Sequence, residues 1–133
     1  MNIIDIKKEE VEKALKEINA ENTFDLLSKI SQKYQQEYKG KEIDINTREG
    51  QTEFRRISCY LIEELMEMQN LLKIREWSKT EYPVDEVHLA EEFADFFNFV
   101  FQIPLLLGYN EEKIQDIVVR KYLINLFRKE SHY

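Results

Sequence analysis

The sequence predicts an all-α fold, a helical bundle of about five helices in a single domain spanning 1–133. Three observations predict it. Only three glycines and two prolines interrupt 133 residues. Between these breakers, apolar side chains recur at steps of three and four, the helical period. The one alternation with a period of two, Ile43-Asp44-Ile45, is too short to make a strand.

The first helix is expected over 6–18, with Val11, Leu15 and Ile18 on one side. Its first turn mixes Glu9 and Glu10 with Lys7 and Lys8, so the helix dipole favours neither sign clearly. Asn22 or Thr23 is suited to cap a second helix that runs to about Tyr38 and closes at Gly40. Its apolar positions are Phe24, Leu26, Leu27, Ile30 and Tyr34. Residues 40–50 are polar and read as a loop with room for a role over a site.

The third helix is expected from about Thr52 to Glu76, with Phe54, Ile57, Leu61, Leu65, Met68 and Leu72 along one face. At about 100° per residue, Glu64 falls between Ile57 and Leu71 on the shoulder of the apolar arc. Glu67 lies just beyond it, beside Tyr60, and Glu63 points to the far side. A second apolar patch, Cys59, Ile62 and Met66, covers another flank. A helix apolar on two sides must pack on two sides, within a bundle or a dimer.

Trp77-Ser78-Lys79 to Pro83 is a connection, with Pro83 suited to the first turn of a fourth helix from about Val84 to Leu107. Phe93, Phe96, Phe97, Val100 and Phe101 make most of that helix apolar. One sector remains polar: His88, Glu91, Glu92, Asp95, Asn98 and Gln102. Pro104 is expected to bend or end the helix, and Gly108 marks the turn. Asn110 caps a fifth helix to about Lys129, where Ile114, Ile117 and Ile124 share a face with Lys121, Asn125 and Arg128.

Composition narrows the function. A formal charge of −7, from 19 basic and 26 acidic residues, argues against coating a nucleic-acid polymer. No apolar run is long enough to span a membrane, and Met1-Asn2-Ile3-Ile4-Asp5 lacks the basic-then-apolar pattern of a signal peptide. The single cysteine, Cys59, forms no internal disulfide and reads as core. A cytoplasmic setting is the expectation.

The chemistry sits between Ile57 and Phe99. Glu64 and Glu67, then Glu92 and Asp95, form two carboxylate pairs, each three residues apart and so on one helix face. Such a pair is commonly just a solvated face. Here Glu64 and Asp95 lie in apolar surroundings, where an unpaired buried charge is expensive. Two helices packed together would bring four carboxylates to one point, a site for a hard cation such as Mg²⁺. Lys121 and Arg128, on another helix, suit the remaining charge of a metal–phosphate ligand.

Rival chemistries fit less well. There is no Gly-rich phosphate loop. A di-iron bundle needs two Glu-x-x-His pairs, whereas His88 follows Asp85 and His132 follows Lys129. His88 reads as a surface residue or one standing behind a ligand. The Phe93 to Phe101 aromatics read as core, and Trp77 as either a loop anchor or a stacking residue.

Glu64-x-x-Glu67, a gap of 24 residues, Glu92-x-x-Asp95 and then Lys121-x-x-x-Asn125-x-x-Arg128 resemble the all-α nucleoside triphosphate pyrophosphatases. That superfamily includes the MazG-like proteins and the dimeric, all-helical dUTPases. The resemblance covers roughly 52–133. Trp77-Ser78-Lys79 and the ending through Tyr133 are similar to the dUTPase branch. Tyr122, Lys129 and His132 depart from that branch's asparagine, glutamine and glycine. Gln35 or Gln36 corresponds to a base-reading glutamine.

The resemblance implies hydrolysis between the α- and β-phosphates of a nucleoside triphosphate, dUTP being the leading substrate, to a monophosphate and pyrophosphate. Glu64, Glu67, Glu92 and Asp95 would hold Mg²⁺, and Glu64 or Glu67 would accept the water's proton. Lys121, Arg128 and Lys79 would bind the phosphates and Asn125 would donate to phosphate or sugar, with Trp77 and Tyr133 also lining the substrate site. It also implies a homodimer. The alternatives are a MazG-like house-cleaning enzyme of broader specificity and a non-catalytic helical interaction module.

Overall fold

The computed structural model of the chain describes residues 1–37 and 42–131, with side chains throughout except at 35–37. Tyr38, Gly40, His132, Tyr133 and the side chains of Gln35 and Gln36 therefore lie outside the described residues.

Among the described residues the chain is all-helical: α1 (Lys8–Ile18), α2 (Thr23–Glu37), α3 (Arg48–Leu71), α4 (Glu86–Leu106) and α5 (Glu111–Glu130), after a short 3₁₀ turn at Ile3–Asp5. Side-chain caps set most of the starts. The Asn22 Oδ1 accepts from the Asp25 N–H at 2.9 Å and opens α2. The Asp85 Oδ1 accepts from the His88 N–H at 3.1 Å, which starts α4 two residues later than Pro83 suggested. Asn110 caps α5 through the Lys113 N–H at 2.9 Å, as expected. Asn19 closes α1 in the left-handed conformation, φ 53°.

The third helix is shifted from its expected span. It begins at Arg48 because Thr47 caps it, its hydroxyl oxygen accepting from the Gly50 N–H at 3.0 Å. The Asp44 carbonyl in turn accepts the Thr47 N–H at 3.0 Å and its hydroxyl at 2.7 Å. This corner needs glycine at 50, since a Cβ there would sit 2.0 Å from the Asp44 carbonyl oxygen. The helix stops at Leu71, where Leu72 turns extended, so Ile74, Glu76 and Trp77 belong to the connection. Pro104 does not stop α4 at once; the helix runs two residues further to Leu106. Proline has no N–H, so the Val100 carbonyl loses its helical donor.

The core is built around α4, which packs on α3, on α2 and on the 3₁₀ turn, while α1 packs on α2. Phe24 meets Phe101 edge-on with centroids 5.2 Å apart, joining α2 to α4, and Tyr60 stacks on Phe99 at 5.6 Å, joining α3 to α4. Ser31 is fully buried where α2 crosses α4, a small side chain that permits close approach. Segment 42–47 docks at the far end of α4, where the Ile43 N–H donates to the Leu106 carbonyl at 2.8 Å.

Among the described residues, α5 packs substantially against no other helix. Ile117, Val118, Val119, Tyr122, Leu123, Ile124 and Phe127 are all exposed, Phe127 by 67%. The second flank of α3 is also open: Cys59 is exposed rather than core, and so are Ile62 and Met66. Only α4 packs substantially on α3 among the described residues. Among the described residues buried apolar side chains are few, Ile57 at 6% exposure and Leu106 at 1%. The chain exposes 11243 Å², where a compact protein of 16.1 kDa exposes about 7,400 Å².

Candidate metal centre

The acidic residues are brought together by the way α3 and α4 pair. Tyr60 meets Phe99, Glu64 lies within reach of the Asp95 charge, and Glu67 meets Glu92. The contacts advance along α3 as they retreat along α4, so the helices run antiparallel and the three-residue spacing on each puts its acids on the shared face.

One carboxylate oxygen from each of Glu64, Glu67 and Glu92 lies within 4.8 Å of the other two. Oxygens about 2.1 Å from one Mg²⁺ lie no more than about 4.2 Å apart, so a pair at the 4.8 Å limit would have to close by about 0.6 Å for the three to share one ion. Asp95 stands outside this trio but close enough for its charge to act on Glu64. Glu67 is exposed, Glu64 is half-buried, and the Glu92 side chain is only 12% exposed.

The trio is electrostatically costly. Burial pushes the Glu64 carboxyl up to about 7, helped by the charges of Asp95, Glu67 and Glu92. Glu67 is raised chiefly by hydrogen bonding with Glu92 and by its charge. Asp95 is raised by burial, then by Glu92 and Glu91. Among the described residues no Lys or Arg relieves any of these three acids. Between residues 57 and 71 and again between 86 and 106 the chain has seven acids and no lysine or arginine. A divalent cation is one means of neutralising such a cluster.

Two neighbours shape the trio. The His88 Nε2 lies 2.8 Å from the Glu92 Oε1, one turn earlier on α4. That contact follows from a four-residue spacing and was readable in the sequence as a residue behind a ligand. The second neighbour was not readable. The Ile3 N–H donates to the Glu91 Oε1 at 2.7 Å, across 88 residues, and holds that carboxylate aside. The N-terminal turn thereby walls an open cleft of about 430 Å³ with Met1, Asn2, Ile3, Ile6, Glu91, Glu92, Ala94 and Asp95.

The expected substrate-binding residues are not gathered with the acids in the single chain. Lys121, Asn125 and Arg128 ride on α5, which among the described residues packs substantially on neither α3 nor α4, and neither cation forms an ion pair there. Trp77 is 85% exposed and Lys79 is exposed in the connection between α3 and α4. Segment 42–47 does not cover the acids. It binds the Leu106 end of α4, about 20 Å along the helix from Glu92.

No protein-family model matches this chain, and neither a curated protein nor a solved structure matches it.

Proposed function

We propose that the protein is a Mg²⁺-dependent nucleoside triphosphate pyrophosphohydrolase, acting as a cytoplasmic homodimer, with dUTP as the leading substrate. The observation that carries this reading is the trio of Glu64, Glu67 and Glu92, held within 4.8 Å on two antiparallel helices with no Lys or Arg relieving Glu64 or Glu67 among the described residues. The motif spacing supports the reaction class. Glu64, Glu67 and Glu92 would hold the metal, with Asp95 on the rim of the site. Mg²⁺ bound there would polarise the α-phosphate and acidify a nearby water.

The remaining work falls to the chain. Glu67, exposed on the open side of the trio, takes the proton of the attacking water; Glu64 is the alternative base. The water oxygen bonds to the α-phosphorus as the bond from that phosphorus to the bridging oxygen breaks. Pyrophosphate leaves with the electron pair. Lys121, Arg128 and Lys79 bind the phosphates, Asn125 donates to phosphate or sugar, and Trp77 stacks on the base, with Tyr133 the remaining expected substrate-binding residue. His88 orients Glu92 through its 2.8 Å contact.

The test is pyrophosphate release from canonical and modified nucleoside triphosphates, with Mg²⁺ or with chelator, beside Glu64→Gln. Metal-dependent release confined to dUTP and lost in the variant supports the reading. Release from many or unusual nucleotides moves the protein to the MazG-like house-cleaning class. No release from folded protein overturns the enzyme reading. One observation favours an interaction module in that event: the exposed apolar side chains of α5 and of the α3 flank.

A further inference from the structure

Residues 117–129 of α5 hold Arg120, Lys121, Arg128 and Lys129 and no acid. The α3–α4 face described above has the opposite composition, acids without lysine or arginine. Among the described residues, α5 packs substantially on neither α3 nor α4. Each surface also has an uncovered apolar neighbourhood: Val118, Tyr122, Leu123 and Phe127 on α5, and Tyr60, Ile62, Leu65 and Met66 on α3.

We infer that a second copy of the chain docks its α5 across the α3–α4 face, so that Lys121 and Arg128 of each chain complete the acidic site of the other. This rests on the homodimer of the proposed function and adds which helix crosses and what it delivers. Charge favours this occupant over an unrelated protein, because the chain itself carries the complement of each surface.

Area agrees. Each chain exposes roughly 3,800 Å² more than a compact protein of its mass, so a pair has about twice that to spare, enough to supply the roughly 2,000–5,000 Å² in total that stable obligate dimers bury from both partners together. A helix apolar on several sides also needs more than one neighbour, which a reciprocal exchange supplies. The site is then shared: carboxylates from one chain, phosphate-binding cations from its partner.

The experiment is a charge swap on the full chain, read by sedimentation, with circular dichroism to check folding. One variant is Lys121→Glu with Arg128→Glu; the other is Glu64→Lys with Glu67→Lys. Wild type is expected at twice the chain mass of 16.1 kDa. Each variant alone juxtaposes like charges and is expected at 16.1 kDa, half the wild-type mass. An equimolar mixture makes both contacts complementary and is expected to return to twice that mass. A monomeric wild type, a variant that stays dimeric, or a mixture that stays monomeric overturns the inference. Should the Glu64→Lys, Glu67→Lys chain not fold, Phe127→Glu replaces it; this exposed α5 position is expected to give monomer, and a persistent dimer overturns the proposal. None of these readouts needs catalysis. A chain that dimerises in this way yet releases no pyrophosphate would sink the enzymatic reading alone, and an active enzyme that fails the swap would sink the inference alone.

Discussion

The α3–α4 pair and α5 are built from similar material and end in opposite conditions. Each is a long helical element rich in apolar residues, 24 residues in α3, 21 in α4 and 20 in α5. In the pair, aromatic contacts such as Tyr60–Phe99 bury one face and force the acids onto the seam. On α5, equally large side chains are left in water. The difference is one of partners rather than of hydrophobicity. Packing in the pair concentrates charge of one sign, while residues 117–129 of α5 carry only the opposite sign and, among the described residues, pack substantially on no other helix.

The largest expected effect tests whether the seam is chemical or merely crowded. Glu67→Gln should lower pyrophosphate release by about 10²–10⁴-fold, the usual contribution of a positioned base, while leaving the fold intact because Glu67 is exposed. A variant with undiminished turnover would take the base role away from Glu67.

Stability separates the two regions next. Ile57→Ala removes one of the few buried apolar side chains and should cost about 2–4 kcal/mol in denaturant unfolding. Val118→Ala, on exposed α5, should cost less than about 0.5 kcal/mol when the chain is dilute enough to be monomeric. At higher concentration, where a partner covers α5, that second cost should grow. Equal costs at high dilution would mean α5 is packed within its own chain.

Cation binding gives a somewhat smaller shift. Mg²⁺ at about a hundred times its dissociation constant should stabilise the fold by about 2.7 kcal/mol, on the order of 10 °C in melting temperature. The gain should vanish in Glu64→Gln. A melting temperature indifferent to Mg²⁺ and Mn²⁺ would leave the trio without a ligand.

The smallest effect is the dependence on pH of the metal-free chain. Glu64 titrates near 7 when folded against an ordinary value of 4.5. Between those values the folded chain holds the extra proton, so stability falls as pH rises. This contribution is complete below 4.5 and gone once pH passes 7; Glu67 and Asp95, also raised, act in the same direction. The melting temperature should therefore be lower at pH 8 than at pH 5, and Mg²⁺ should reverse more of the loss at pH 8. A chain more stable at pH 8 without metal would contradict the raised carboxyls.

Local features were legible in the sequence because helix geometry is local. The caps at Asn22 and Asn110 appear where short-range spacing places them, and all five periodic segments form helices, though α3 and α4 have shifted ends. Glu64, Glu67 and Glu92 converge because three-residue spacing on two paired helices leaves few alternatives. What depended on tertiary choice was less legible. Cys59 and Ile62 have the spacing of a buried stripe, but among the described residues only α4 packs substantially on α3, and spacing alone does not say which stripe wins it. The start of α3 at Arg48 depended on a turn through Asp44 and Thr47 rather than on apolar period. The Ile3–Glu91 bond joins residues 88 positions apart, and no local pattern announces it.

The isolation of α5 has a kinetic consequence. If catalysis requires cations borne by a neighbouring molecule, turnover per chain is not a constant of the protein. Well below the dissociation constant of the pair, the number of assembled sites varies as the square of chain concentration. Tenfold dilution would then cut velocity about a hundredfold rather than tenfold, and the amount of enzyme present would itself set how fast each molecule works.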